Sequence, residues 1–113
     1  MIIYSGIPKP INSTEAWHNT LAFSDFSKIQ MQIGFQNAYH AVTFWTKGGD
    51  TIIQEFSFTA FNPSDSGCRI IAGKLKFAGR YITEAGVVMS LNLGAFTQLS
   101  ADNIYVSQII GYK

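Results

Sequence analysis

Charge is scarce in this chain. Asp, Glu, Lys and Arg make up only 13% of its 113 residues, whereas the usual share is roughly 25%. The formal net charge is +1. Such a surface is covered mainly by small polar and aromatic groups, and copies of it repel one another weakly. We therefore expect either a homo-oligomer, a trimer or larger, or a neutral partner such as a carbohydrate.

Disulfides, a leader and a membrane span are not indicated. Cys68 is the only cysteine, so no internal disulfide can form, which fits synthesis in a reducing cytoplasm and leaves open later residence on a virus particle. The N-terminus has no basic leader, and Pro8 and Pro10 interrupt its apolar run, so we predict no signal peptide. No apolar run approaches the roughly 20 residues of a membrane span.

Recognisable catalytic and metal-binding motifs are also missing. Residues 67–75 have a superficial likeness to a phosphate-binding loop, but the spacing is off by one and no Ser or Thr follows the lysine. His18 and His40 do not stand at a metal-ligand spacing from one another. Cys68 at a strand start is more typical of a small buried residue than of a nucleophile paired with His40. We predict no enzyme activity and no cofactor.

The clearest structural signal lies in residues 51–77. Apolar and polar side chains alternate from residue 51 to residue 61, which places Phe56 and Phe58 on one face of a strand. Residues 62–67 are turn formers. In the run that follows, Ile71, Leu75 and Phe77 share a face with Gly73, and the lysines between them share the other. These features predict a β-hairpin with a buried face.

Shorter runs of the same kind flank this hairpin. Turn residues separate candidate strands at residues 2–4, 21–26, 28–35, 39–46, 79–83, 87–93 and 104–112, with a weaker strand or loop at 94–99 and a turn at 84–86. Gly48 and Gly49 predict a tight hairpin between strand 39–46 and the strand that follows. In strand 87–93, Leu91 and Leu93 are expected to point inward.

Eight or nine short strands with regular turn signals predict an all-β fold, an antiparallel β-sandwich with a jelly roll as the first choice of topology. We expect one domain over residues 1–113, with residues 1–20 as an extended N-terminal arm that lies either on a neighbouring subunit or on its own domain. Asn12 and Glu15 have the spacing of a capping box, which predicts one short helical turn through residues 16–18.

Basic residues are concentrated in one segment. Arg69, Lys74, Lys76 and Arg80 are half of all Lys and Arg residues within twelve positions. They could form a patch for an anionic glycan or nucleic acid. A solvated strand face, or lysines that protect an edge strand from aggregation, is the preferred interpretation. The aromatic signature of sheet-based RNA readers is missing, which disfavours nucleic acid.

Trp and Tyr side chains provide the second set of candidates, because they are enriched at protein interfaces and stack on sugar rings. Trp45 beside the Gly48–Gly49 turn and Trp17 in the N-terminal segment are the best candidates for an exposed anchor. Tyr39 lies in the same predicted strand as Trp45. For each of these rings, packing in the core is the competing interpretation.

Together these features favour a non-enzymatic structural or interaction protein, an all-β module that assembles with copies of itself. A component of a virus or phage particle, in the capsid, a decoration or the tail, is our leading hypothesis. A lectin-type glycan-binding module is the alternative, and a small enzyme or inhibitor with a scattered site is the second alternative.

Overall fold

The computed structural model describes residues 1–36, 38–46, 51–62 and 67–113. These residues form eight strands and two short 3-10 helices, at Phe23–Asp25 and Ala101–Asn103. The strands are β1 (Ile2–Pro10), β2 (Lys28–Phe35), β3 (Ala38–Trp45), β4 (Thr51–Asn62), β5 (Gly67–Ala78), β6 (Tyr81–Leu91), β7 (Phe96–Leu99) and β8 (Tyr105–Tyr112).

The strands form two antiparallel four-stranded sheets. The first sheet has the order β1-β8-β2-β3, and the second has the order β4-β5-β6-β7. The predicted antiparallel β-sandwich is therefore confirmed. Its strand order differs from that of a jelly roll, which contains two Greek keys, because the second sheet is a simple meander. The strand order is therefore not that of the jelly roll, which was the first choice of topology.

The core lies between the inner faces of the two sheets. Phe44 of the first sheet is fully buried and meets two rings of the second sheet edge-on. Its ring centroid lies 6.4 Å from that of Phe56 and 5.5 Å from that of Phe77. Aliphatic side chains such as Ile33 and Leu75 fill the layers around these rings. Contact between the two inner faces is what turns two half-buried sheets into one folded unit.

The strand pairing of the predicted central hairpin is confirmed, whereas residues 63–66 of its predicted turn lie outside the described part of the chain. β4 and β5 pair from Thr51 with Ala78 to Asn62 with Gly67 without a break in register. Phe56 and Phe58 are buried while Glu55 and Ser57 between them are exposed, as the period of two requires. On β5, Ile71, Leu75 and Phe77 are buried.

The predicted Gly48–Gly49 hairpin is wrong as a pairing, although these two residues lie outside the described part of the chain. β3 and β4 belong to different sheets and do not pair with one another. The chain therefore changes sheets between them. Tight-turn chemistry indicates a local reversal, but it does not decide which strand becomes the neighbour.

The predicted break at residues 84–86 is also wrong. β6 continues from Tyr81 through this region, and one irregularity in its pairing with β5 falls between the pairs Lys76–Glu84 and Phe77–Ile82. The reversal comes earlier, at the two residues Gly79 and Arg80, where Gly79 adopts φ +59°. Glycine tolerates this left-handed conformation without the steric conflict that a Cβ would bring.

The N-terminal segment packs on its own domain. Residues 2–10 form the edge strand β1, paired with β8, so the extended arm expected over residues 1–20 is a strand in its first half. No helix forms at residues 12–18, and residues 21–26 contain a 3-10 helix instead of the predicted strand. The backbone amides of Trp17 and Phe23 donate to the carbonyls of Arg80 and Gly79 at 2.9 and 2.8 Å. These bonds tie the segment to the β5–β6 turn.

Candidate functional site

The four basic residues of the predicted patch are not brought together. Arg69, near the start of β5, belongs to the alternating residues that face the core, whereas Lys74 and Lys76 belong to the alternating residues that face outward. Arg80 lies beyond the other end of β5, about 30 Å from Arg69 at the usual rise per strand residue. Its guanidinium donates a hydrogen bond to the carbonyl of Asn19. A continuous anionic-ligand site along these residues is therefore disfavoured.

Lys74 and Lys76 each face an acidic residue across the sheet. Glu55 of β4 is the backbone register partner of Lys74, and Glu84 of β6 is the backbone register partner of Lys76. Opposite charges at such positions attract one another across neighbouring strands. The outer face of the second sheet is thus charged but locally balanced, as expected for the solvated strand face that the sequence favoured.

Trp17 is buried, so of the two interpretations of this ring, core packing holds and the exposed anchor does not. Its ring meets that of Tyr4 edge-on with the centroids 5.2 Å apart. The Lys9 amine covers its face, 4.6 Å from the ring centroid, and also pairs with Glu15 at 3.4 Å. Trp17 therefore closes one end of the core.

The histidines and the cysteine have separate surroundings. His18 Nδ1 accepts hydrogen bonds from the backbone amides of Thr20 and Leu21 at 3.0 and 2.9 Å, and His40 stacks on Phe58. Cys68 is exposed, which corrects the expectation of a buried residue. Within the described ranges, no three His, Cys, Asp or Glu side chains gather as metal ligands would.

Trp45 and Tyr39 lie together on the outer face of the first sheet. This surface, here called the aromatic face, consists of four rows that run across β3, β2 and β8. The rows are Trp45–Lys28–Tyr112, Thr43–Gln30–Ile110, Ala41–Gln32–Gln108 and Tyr39–Gly34–Tyr105. Aromatic rings therefore stand at its four corners, and polar side chains cover much of its centre. The sequence indicates Trp45 and Tyr39 as candidates, but only the register of β2 with β3 and β8 brings Tyr112 and Tyr105 onto the same face.

Two aromatic rings flank the lysine of the first row. Lys28 Nζ lies 4.5 Å from the ring centroid of Tyr112 and 5.6 Å from that of Trp45. An ammonium group at these distances is attracted to the electron-rich ring faces. Lys28 carries the only formal charge among the four rows, all of which fall within the described residues.

A second candidate lies on the outer face of the second sheet. A broad, open depression of about 730 Å³ lies over the middle of β4, β5 and β6. Its floor is made from small or apolar residues that include Ala72, Gly86 and Val88. Glu55 and Lys74, which are backbone partners on neighbouring strands, line it together. We call this feature the depression.

The connection from β6 to β7 contains an unusual turn, here called the leucine turn (residues 91–94). The amide of Gly94 donates to the carbonyl of Leu91 at 3.0 Å, and the two central residues, Asn92 and Leu93, have φ values of 51° and 63°. Positive φ at both central positions is the arrangement of a type I′ turn. Leucine rarely adopts it, because its Cβ then approaches the following carbonyl.

Neighbouring side chains hold the leucine turn in place. The amide of Asn92 donates to the carbonyl of Cys68 at 2.7 Å, and its side-chain Oδ1 accepts from the amide of Cys68 at 2.9 Å. Ser90 Oγ donates to the carbonyl of Gly94 at 2.6 Å. The turn is thus anchored to β5 and to the end of β6.

Leu93 is 80% exposed at the tip of this turn. Leu91 and Phe96 beside it are also exposed, so the prediction that Leu91 and Leu93 point into the core is wrong. Leu91 belongs to the alternating residues of β6 that face inward, but it lies beyond the end of the core. Leu93 lies in the turn. The sequence signal for this turn is weak, because leucine stands where glycine is usual.

Comparison with known proteins finds no matching family model, no matching curated protein and no matching solved structure. Across the ranges that the structure describes, no helix combines the length and apolar character needed to cross a membrane.

Proposed function

We propose that this chain is a non-enzymatic structural module that assembles with copies of itself into a closed ring of three or more subunits. A component of a virus or phage particle, in the capsid, a decoration or the tail, is the setting that we propose for it. The observation that carries the assembly is Leu93, a large apolar side chain held exposed on a strained and well-anchored turn.

The energetics of Leu93 favour an external partner. A left-handed conformation costs a non-glycine residue about 1–2 kcal/mol. Full burial of a leucine side chain returns about 1.5–3 kcal/mol, but Leu93 is 80% exposed in the single chain. Backbone strain that is held in place by surrounding bonds is concentrated at functional positions in proteins. Burial of Leu93 in a neighbouring subunit would supply the stabilisation that the isolated chain lacks.

The depression is the matching surface on the neighbouring copy. Its small floor residues leave room for a leucine side chain, and Glu55 and Lys74 at its edge already face one another across the strands. The leucine turn consists of Leu91, Asn92, Leu93 and Gly94 and therefore brings no charge into this site. The turn itself therefore adds no charge whose burial would oppose association.

This contact is of the kind from which closed rings are built. The leucine turn and the depression are different patches of one surface, so the contact between neighbours is heterologous. Heterologous contacts repeat around an axis and produce a ring when the rotation closes. The weak net charge of +1 offers little repulsion between the copies.

Substitution of Leu93 tests the proposal. We expect Leu93→Ser to shift the assembly toward the single chain, with an apparent dissociation constant at least about tenfold higher, because an apolar hot-spot contact is lost. The measurement is light scattering behind a sizing column over a range of protein concentrations. Ile7→Ser is the matched control, because Ile7 is 84% exposed on the edge strand β1. An equal effect of both substitutions would contradict a specific role of Leu93.

A third variant separates assembly from folding. Leu93→Gly removes the same side chain and relieves the positive φ, so the single chain should lose no stability and should gain up to about 1 kcal/mol. Its urea unfolding is to be measured at a concentration where the single chain prevails. A loss of stability together with the loss of assembly would mean that Leu93 supports the fold of its own subunit.

A further inference from the structure

We propose that the aromatic face binds a glycan that carries carboxylate groups, such as a chain containing uronic or sialic acid residues. This face lies on the first sheet, whereas the leucine turn and the depression belong to the second sheet. The inference is therefore independent of the proposed ring, and failure of one leaves the other standing.

The aromatic rings are placed to stack on sugar rings. Trp45 is 58% exposed and Tyr112 is 39% exposed at one end of the face. At the other end, the Tyr39 ring lies over Gly34, where a Cβ would come within 2.5 Å of two ring carbons. With one side of this ring against the backbone, its other side is directed away from the sheet. Trp and Tyr rings combine an apolar surface with a polar group, so they suit ligands that present both apolar surface and polar groups.

The centre of the face offers hydrogen-bonding groups of the kind that sugar hydroxyls need. Gln30, Gln32 and Gln108 lie half-buried in adjacent rows, so their amides are held near the sheet. A side-chain amide supplies both donors and acceptors, and a hydroxyl group can pair with either. From the first row to the fourth, six residue steps along β2 span about 20 Å, the length of a short oligosaccharide.

The charge of the face selects among possible ligands. Lys28 is its one formal charge, and no carboxylate stands in the four rows. A ligand with an occasional carboxylate matches one cation, and its pairing with Lys28 would be a charge-assisted hydrogen bond. Nucleic acid carries a phosphate on every nucleotide and is bound through several cations. A single cation with neutral amides around it therefore favours an acidic glycan.

The site also explains the position of Lys28. Its amine is attracted to the rings of Trp45 and Tyr112 at one corner. A sugar stacked on Trp45 would place its carboxylate beside this amine, so that recognition of the ring and recognition of the charge occur at the same end of the face. Trp45 is thus expected to contribute affinity, and Lys28 is expected to contribute the preference for acidic chains.

A glycan array tests this inference with the full chain. The probes are immobilised neutral glycans, uronic acid oligomers and sialylated oligosaccharides, with methyl esters of the uronic acid oligomers as uncharged counterparts. We expect the wild-type protein to prefer a carboxylated chain over its ester. Trp45→Ala should raise the half-saturating protein concentration about tenfold, as loss of a stacking contact does. Lys28→Gln should weaken the preference for the acid over the ester by about fivefold at low salt.

Tyr81→Ala is the control, because Tyr81 is also 39% exposed but lies at the start of β6 in the second sheet. It should bind as the wild type does. Thermal unfolding checks that each variant folds. If Trp45→Ala does not fold, Tyr105→Ala tests the loss of a stacking ring at the other end of the face. Absence of binding, preference for neutral chains, or equal loss in the control would overturn the inference. A lower solution mass of Trp45→Ala would also overturn it, because the face would then be a subunit interface.

Discussion

Phe44→Ala is expected to lower the free energy of unfolding by about 3–5 kcal/mol, the range for removal of a buried phenylalanine side chain. Phe44 is fully buried and its ring contacts Phe56 and Phe77 of the opposite sheet. Its loss would leave a cavity between the sheets at the position where they meet. Urea unfolding followed by tryptophan fluorescence measures the change.

The control for this prediction is its exposed neighbour in the sequence. Thr43 precedes Phe44 on β3 and faces solvent, so Thr43→Ala should change the unfolding free energy by no more than about 0.5 kcal/mol. Both variants are compared with wild type at one protein concentration, because assembly makes apparent stability depend on concentration. Similar effects of the two substitutions would mean that Phe44 does not join the sheets.

Phe58→Asp is expected to prevent folding. Phe58 is buried on β4, stacked between Phe56 and His40. Aspartate at this position would place an unpaired carboxylate among aromatic rings, and the desolvation of such a charge exceeds the few kcal/mol by which a small domain is stable. Far-ultraviolet circular dichroism and the yield of soluble protein provide the measurement.

Thr59→Asp is the matched variant, because Thr59 is the next residue of β4 and is exposed. It should fold with about the stability of the wild type. The pair of variants tests the orientation of the strand directly, since a shift of register by one residue would exchange the two faces. A soluble, folded Phe58→Asp protein would contradict the assignment of β4.

The parts of the fold that the sequence predicted well are those in which one local pattern decides the outcome. Phe56 and Phe58 alternate with Glu55 and Ser57, and burial of one sheet face leaves a single register that suits all four. The strand order could not be obtained in this way. The sheet to which β3 belongs is decided by packing across the sandwich, where Phe44 contacts the second sheet. The residues near Gly48 contain no signal for that contact.

The same limit applies to the candidate sites. Trp17 and Trp45 are the same residue type, and one is buried while the other is exposed. Trp45 lies on a strand whose alternation could assign it a face, but Trp17 lies in an irregular segment without a period. The aromatic face required the register of β2 with both β3 and β8, which is information that a single strand does not contain.

Leu93 shows a different limit. Its turn lacks the glycine that usually marks positive φ, so the alternation of residues 87–93 continues through it and predicts that Leu93 lies in the core. A local rule failed at the position that we propose as a functional contact. Such conflicts between local preference and observed structure are expected at functional or strained sites.

The solution mass of the wild-type chain tests the central claim most directly. A single chain has a mass of 12.5 kDa, and light scattering behind a sizing column reports the mass without reference to shape. The proposed ring predicts a discrete species of three or more chains that persists on dilution to micromolar concentration. A species of one chain at every concentration would contradict assembly through the leucine turn, and a species of two chains would contradict the closed ring.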